Sequence, residues 1–175
     1  MKTLVLYRSK TGFVKKYAQW LAEELHGDLK DAKTVRASEF AQYDAIVFGG
    51  GLYMTGIHGV RIIKGNLKKL QGKRVAVFAS GASPARPETV VKVRDRNFTQ
   101  AQQKQIGFFY MRGGFDYTKL TPVDKFLMRL LQWRLFLKRE KTPDERGMLS
   151  AYRKPQDFTR RDNIRPLVKY LRGQH

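Results

Sequence analysis

The sequence predicts an α/β protein built as a doubly wound, five-stranded parallel sheet with helices on both faces. Two observations carry this. Short runs rich in Val, Ile and Phe, continuous rather than alternating, stand at residues 3–7, 45–48, 74–79 and 106–111, as do strands buried on both faces. Stretches with helical spacing lie between them, and strands alternating with helices imply right-handed βαβ crossovers.

The elements follow in order. The first strand ends at a Ser, a Thr and a Gly, and a helix then runs from Gly12 or Phe13 to about Leu25, because Val14, Tyr17, Ala18, Leu21 and Leu25 recur at three-and-four spacing. Gly27 reads as its stop. A weaker strand is expected over 29–35 and a polar helix from about Gly59 to Leu70. Residues 81–105 read as a Pro-punctuated loop and another helix. The string DNIRPLVKYLRG reads as a closing helix, with Pro166 acceptable in its first turn. A long insertion, about 112–150, precedes it. We read 1–175 as one domain, long enough to bury its own core.

The chain has no cysteine, which removes thiolate catalysis and cysteine-held metal clusters, and its three histidines, His26, His58 and His175, lack ligand spacing. We therefore expect no metal. The N-terminal MKTLVLY enters a strand directly, without the pattern of a secretory leader, and Lys and Arg interrupt every stretch approaching the roughly 18 apolar residues of a spanning helix. A cytoplasmic protein is the expectation. The net charge of +20 attracts polyanions. Nucleic acid ranks low among them, because no recognised reading motif accompanies the charge.

In such sheets, ligands bind at the carboxyl ends of the strands where strand order reverses, so the loops there matter most. SKTG joins the first strand to the first helix. Backbone N–H groups of the opening helical turn lack internal acceptors and suit an anion; Ser9 and Thr11 add hydroxyls, and Gly12 permits close approach. A Ser or Thr that merely caps the helix is the alternative. Neither the ATP-type string nor Gly-x-Gly-x-x-Gly is present, so the guest is a smaller phosphate.

Ser9-Lys10-Thr11-Gly12-Phe13-Val14 resembles the first loop of the flavodoxin family, Thr/Ser-x-Thr-Gly-x-Thr, which cradles the phosphate of FMN. Val14 replaces the last hydroxyl of that pattern, and Lys10 adds a charge. The resemblance implies FMN as cofactor and extends to two further loops. GGGLYMTGIHG places Gly51, Leu52, Tyr53 and Met54 beside the flavin, with Tyr53 as the aromatic against the isoalloxazine; packing of Tyr53 under its own loop is the alternative, and His58 reads as an ordinary loop histidine. SGASPARPE would supply backbone groups from Ser80, Gly81 and Ala82 to the ring, but it lacks the acid and second Tyr that flavodoxins often carry there.

Within the insertion, Pro122 to Lys141 reads as an amphipathic helix with Phe126, Leu130, Trp133 and Leu137 in one stripe and Lys125, Arg129, Gln132 and Arg139 opposite. Such a helix can lie in an anionic membrane interface or pack its stripe on the domain's own core. The run FYMRGGFDYTKLTPVDKFLMRLLQW resembles the insertion of menaquinone-dependent protoporphyrinogen IX dehydrogenases, with Asp124-Lys125-Phe126-Leu127 matching that family's Asp-basic-Phe-Met/Leu pattern. This implies a porphyrinogen substrate, a quinone acceptor and a peripheral position on the inner face of the cell membrane. Arg112, Lys119, Lys125 and Arg129 are candidates for the substrate's propionates; no acid or base stands out, so no catalytic residue is named. Arg8, Lys10 and the basic insertion are expected to stabilise reduced, anionic FMN. The competing readings are a non-catalytic flavodoxin-type carrier with acidic redox partners, and a flavin-free module whose basic face docks on a polyanion.

Overall fold

Continuous apolar stretches separated by glycine-bearing loops become strands of one sheet. The computed structural model describes residues 1–53, 56–140, 142, 145, 146, 149 and 155–174. In chain order the strands are β1 (Thr3–Arg8), β2 (Asp28–Asp31), β3 (Ala45–Tyr53), a short β4 (Gly56–Ile57), β5 (Arg74–Gly81) and β6 (Gly107–Arg112). The sheet order is β2-β1-β3-β5-β6, parallel throughout, with β4 folding back antiparallel on the end of β3. The five-stranded parallel sheet is as expected, and the order reverses between β1 and β3.

Side chains alternate across the strands into two cores. One face of the sheet packs Val5, Val47, Ala76 and Phe78 against Tyr17, Leu21, Leu167 and Leu171 from α1 (Phe13–Leu25) and the last helix. The other packs Leu4, Ile46, Phe48 and Val77 against Phe40, Ile63, Val93 and Phe98. On that second face lie α2 (Arg61–Lys64), α3 (Pro87–Asn97) and α4 (Gln100–Gln103). The expected helix over 59–70 is instead α2 followed by a 3-10 turn at Leu67–Leu70, because Gly65 and Asn66 interrupt it. The weaker strand is Asp28–Asp31, one residue earlier at its start and shorter than 29–35. At the end of α1 the left-handed residue is His26, at φ 48°, while Gly27 is demanded by proximity: a Cβ there would stand 2.8 Å from the Thr3 carbonyl oxygen.

Gly49 sits mid-sheet, and an added Cβ would lie 2.0 Å from Cζ of the fully buried Phe78. Gly49→Ala is therefore expected to cost about 2–3 kcal/mol. Differential scanning calorimetry should show the melting temperature falling by roughly 4–12 °C.

Beyond β6 the chain leaves the sheet through Gly113 into β7 (Gly114–Phe115), which pairs antiparallel with β8 (Gln156–Asp157). The two ends of the insertion thus lie side by side. Inside it, a 3-10 turn at Tyr117–Lys119 leads to α5 (Pro122–Leu137). Thr121 caps α5 by accepting from the Asp124 N–H at 3.2 Å, and Pro122 occupies the first turn, where its missing donor is harmless. Of the residues of α5 only Asp124 and Leu135 are buried. The expected continuation to Lys141 ends at Leu137, and Lys141 itself lies outside the described residues. The closing helix is α6 (Arg165–Arg172), with Pro166 in its first turn. The Tyr17 hydroxyl donates to the Arg112 carbonyl at 2.6 Å and accepts from Asn163 Nδ2 at 2.7 Å, pinning α1, the end of β6 and the returning chain together.

Candidate functional site

Three loops meet at the carboxyl ends of β1, β3 and β5, joined by the pairings Arg8↔Gly50 and Gly51↔Ser80. In the first, Ser9 Oγ accepts from the Gly12 N–H at 3.0 Å, so this hydroxyl shapes the turn. Gly12 adopts φ 96° as the residue preceding α1, and no side chain caps the helix. Among the described residues, the N–H groups of Phe13, Val14 and Lys15 have no acceptor. Open space borders Gly12, where a Cβ would meet nothing within 4 Å. Unpaired donors, a helix dipole and a side-chain-free approach together make an anion seat.

The expected residues of this loop divide by what they can offer. Gly12, Phe13 and Val14 contribute backbone alone. Phe13 turns its ring toward the root of the insertion, where a Cβ on Gly114 would lie 2.6 Å from its Cζ. Val14 is buried in the α1 core. Thr11 is half-buried at the turn. Lys10 does not point to the seat. Its Nζ lies 2.8 Å from Asp124 Oδ2, on the first turn of α5, and 4.5 Å from the centre of the Tyr53 ring. Arg8 pairs with Asp31 at 3.7 Å. Both cations expected to stabilise reduced flavin are thus already partnered, which reduces the positive field they add.

In the second loop, Gly51, Leu52 and Tyr53 close β3, with Leu52 opposite Ile57 and Tyr53 opposite Gly56. Met54 lies outside the described residues. A Cβ on Gly51 would lie 3.7 Å from Val14 Cγ2, so the first and second loops are in contact. Tyr53 is 39% exposed rather than buried beneath its own loop. His58 is held below its usual pKa by burial first, then by the charges of Arg8 and Lys10.

The third loop is fixed by β6. Gly81, Ala82 and Ser83 offer their carbonyls to the Gly113 N–H at 2.8 Å, Arg112 Nε at 3.0 Å and the Tyr110 hydroxyl at 2.9 Å. Burial pushes the Tyr110 phenol up to about 12, so it stays a protonated donor at neutral pH. Ser80 Oγ is buried without a hydrogen-bond partner, 2.3 Å from where a Cβ on Gly113 would stand. Arg112, expected to meet propionates, is engaged by Ala82 and stacks 3.7 Å over Phe158. Lys119 pairs with Asp116 at 3.4 Å.

Sequence reasoning missed Asp124 as part of this site. Asp124 is 5% exposed, and its carboxylate takes Lys10 from one side and the Thr121 hydroxyl, at 2.9 Å, from another. The Lys10 ammonium foremost, with Thr121 and Tyr53 adding, holds it below the usual carboxylate range. Thr-Pro-Val-Asp signals a helix start, but nothing in it signals a partner 114 residues away.

The family model for the flavodoxin domain, Flavodoxin_5, matches residues 4–142. The chain belongs to the flavodoxin domain family. Its cofactor is accordingly FMN, and the free N–H groups and open space at Gly12 fit the cofactor's phosphate. In this chain the order reversal between β1 and β3 is where such sheets take FMN. Among solved structures, it is similar to a flavodoxin from Streptococcus pneumonia TIGR4, with 21% identity, 46% of this chain and 62% of that one covered, and a TM-score of 0.37. It is also similar to oxidised flavodoxin 1 from Bacillus cereus, at 21% identity, 76% and 94% coverage and a TM-score of 0.43. A third is the rubredoxin oxygen:oxidoreductase from Desulfovibrio gigas, at 15% identity, 99% and 36% coverage and a TM-score of 0.48. The chain spans less than two thirds of the first of these and about a third of the last. No curated protein sequence matches the chain.

Proposed function

We propose that this protein is an FMN-dependent oxidoreductase, a protoporphyrinogen IX dehydrogenase that passes electrons to a quinone while seated on an anionic membrane surface. The observation that carries the reading is α5: Phe126, Trp133, Phe136 and Leu137 are 62–69% exposed on a helix whose first turn is tied to the cofactor loops through Asp124. The alternative expected for this stripe, packing on the domain's own core, leaves such side chains covered, and here they are not. Apolar groups alternating with Arg129 and Arg134 suit an interface of acyl chains and anionic headgroups. Among the described residues no helix is long and apolar enough to cross a membrane, so α5 would lie in the surface.

Each part of the chain has a role in this reading. Bound FMN supplies the electron-transfer chemistry. The N–H groups of Phe13, Val14 and Lys15 hold its phosphate, and Tyr53 offers a ring face to the flavin. Tyr117, Pro122, Lys125, Phe126 and Arg129, on both sides of Asp124 in sequence, line a hollow of about 450 Å³. Its aromatic walls suit an apolar tetrapyrrole and its two cations suit carboxylates. Of the cations named for propionates, Lys125 and Arg129 line this hollow, whereas Arg112 and Lys119 are held elsewhere.

Anaerobic incubation of the FMN-loaded protein with protoporphyrinogen, a menaquinone and anionic vesicles tests the proposal, with protoporphyrin fluorescence expected to rise only when quinone is present. The second reading, a carrier with acidic redox partners, draws on the same family match and on the charge of +20. It predicts electron shuttling between redox proteins and no porphyrinogen oxidation beyond the flavin-only control.

A further inference from the structure

We infer that Asp124 is a positioning residue that couples the cofactor pocket to α5, so that FMN binding and the seating of this helix strengthen one another. The carboxylate ties two segments directly, Lys10 from the first loop at 2.8 Å and Thr121 from the cap of α5 at 2.9 Å, with Tyr53 of the second loop adding to what holds it ionised. Lys10 in turn lies over the Tyr53 ring, 4.5 Å from its centre, which closes the cluster. Little else buries α5. Beside Asp124, only Leu135 in that helix is buried, so the first turn is held to the domain chiefly by this carboxylate.

The physical link runs through the two loops. A phosphate on the N–H groups that follow Gly12 fixes the backbone that carries Lys10, and a flavin against Tyr53 fixes that ring. Fixed partners cost less to assemble around Asp124, so α5 seats more tightly when FMN is bound. Linkage makes the effect reciprocal: a seated α5 must tighten FMN by the same factor. The sequence alone does not show this, because a buried Asp inside a helix cap looks complete with its own N–H and Thr121.

The inference rests on the loop from Ser9 to Gly12 being the phosphate seat. The test uses the full chain and trypsin, which cuts after Lys125 and Arg129 when the first turns of α5 leave the domain. Saturating FMN is expected to slow those two cuts about fivefold or more in the unmutated protein. In Asp124→Asn the FMN effect on these cuts disappears and the FMN dissociation constant, read from flavin fluorescence quenching, rises about tenfold. Asp124→Glu keeps a carboxylate within reach of Lys10 and restores most of the protection, which a merely volume-filling role would not. In a double-mutant cycle, Lys10→Met combined with Asp124→Asn should weaken FMN much less than the two single effects multiplied. Equal cleavage of the unmutated protein with and without FMN overturns the inference, as does an Asp124→Asn protein with unchanged FMN affinity and protection. If the unmutated chain binds no FMN at all, the cofactor assignment itself fails, an outcome visible before any variant is made.

Discussion

If α5 seats the protein on anionic membranes as proposed, changing Phe126, Trp133 and Phe136 together to Ser is expected to stop it sedimenting with anionic vesicles and to leave its melting temperature where it was. These side chains are 67%, 62% and 69% exposed, so they contribute little to the folded core. In a membrane interface each would bury most of its ring, worth about 1–2 kcal/mol after allowing for partial burial. Three of them amount to a fall in partitioning of about a hundredfold or more, at tenfold for every ~1.4 kcal/mol. Basic side chains near anionic headgroups add about 1 kcal/mol each, so raising the salt concentration should also weaken binding. Vesicle sedimentation and calorimetry of the same samples check both halves. A triple variant that still sediments shows that surface charge suffices, and one that melts far lower shows that this face is packed in solution.

Gly12→Val is expected to prevent FMN from binding while the sheet stays folded. At φ 96° the residue is in the left-handed region, where a β-branched side chain costs about 1–2 kcal/mol or more. The larger effect is on the ligand. A Val side chain enters the open space beside Gly12 and stands against the donors of Phe13, Val14 and Lys15. We expect FMN affinity to fall at least about a hundredfold, in line with the loss of several charge-assisted hydrogen bonds of about 1.5–3 kcal/mol each. Fluorescence titration measures it, and far-ultraviolet circular dichroism reports on the sheet. A Gly12→Val protein that binds FMN as tightly as the original would show that the phosphate sits elsewhere.

The sheet was legible because its strands are buried on both faces and therefore read as unbroken apolar runs. The extension of β3 through Gly49, Gly50 and Gly51 was not, since glycine carries no strand signal; those residues stay extended because the flanking strands β1 and β5 run on beside them. Gly49 is dictated by the ring of Phe78, a contact between strands that no local pattern reveals. In the loop SKTG, the helix start and its unpaired donors followed from local chemistry. Where Lys10 points did not, because its partner is set by the docking of α5 across 114 residues of sequence. Phe13 and Val14 turn backbone N–H groups to the expected cofactor seat, but their side chains pack inward, one on the root of the insertion and one in the core, which the loop pattern does not reveal. The apolar stripe of the insertion was plain in the sequence, but periodicity alone leaves its covering open, and only the fold shows it standing outside both cores.

All of this depends on the backbone donors at the start of α1 being the ones that hold the phosphate of FMN. A titration of the isotope-labelled apoprotein with FMN, followed amide by amide in nitrogen–proton correlation spectra, tests it most directly. Large downfield proton shifts are expected at Phe13, Val14 and Lys15, saturating at one equivalent. Saturable FMN binding that leaves those three amides in place would contradict it.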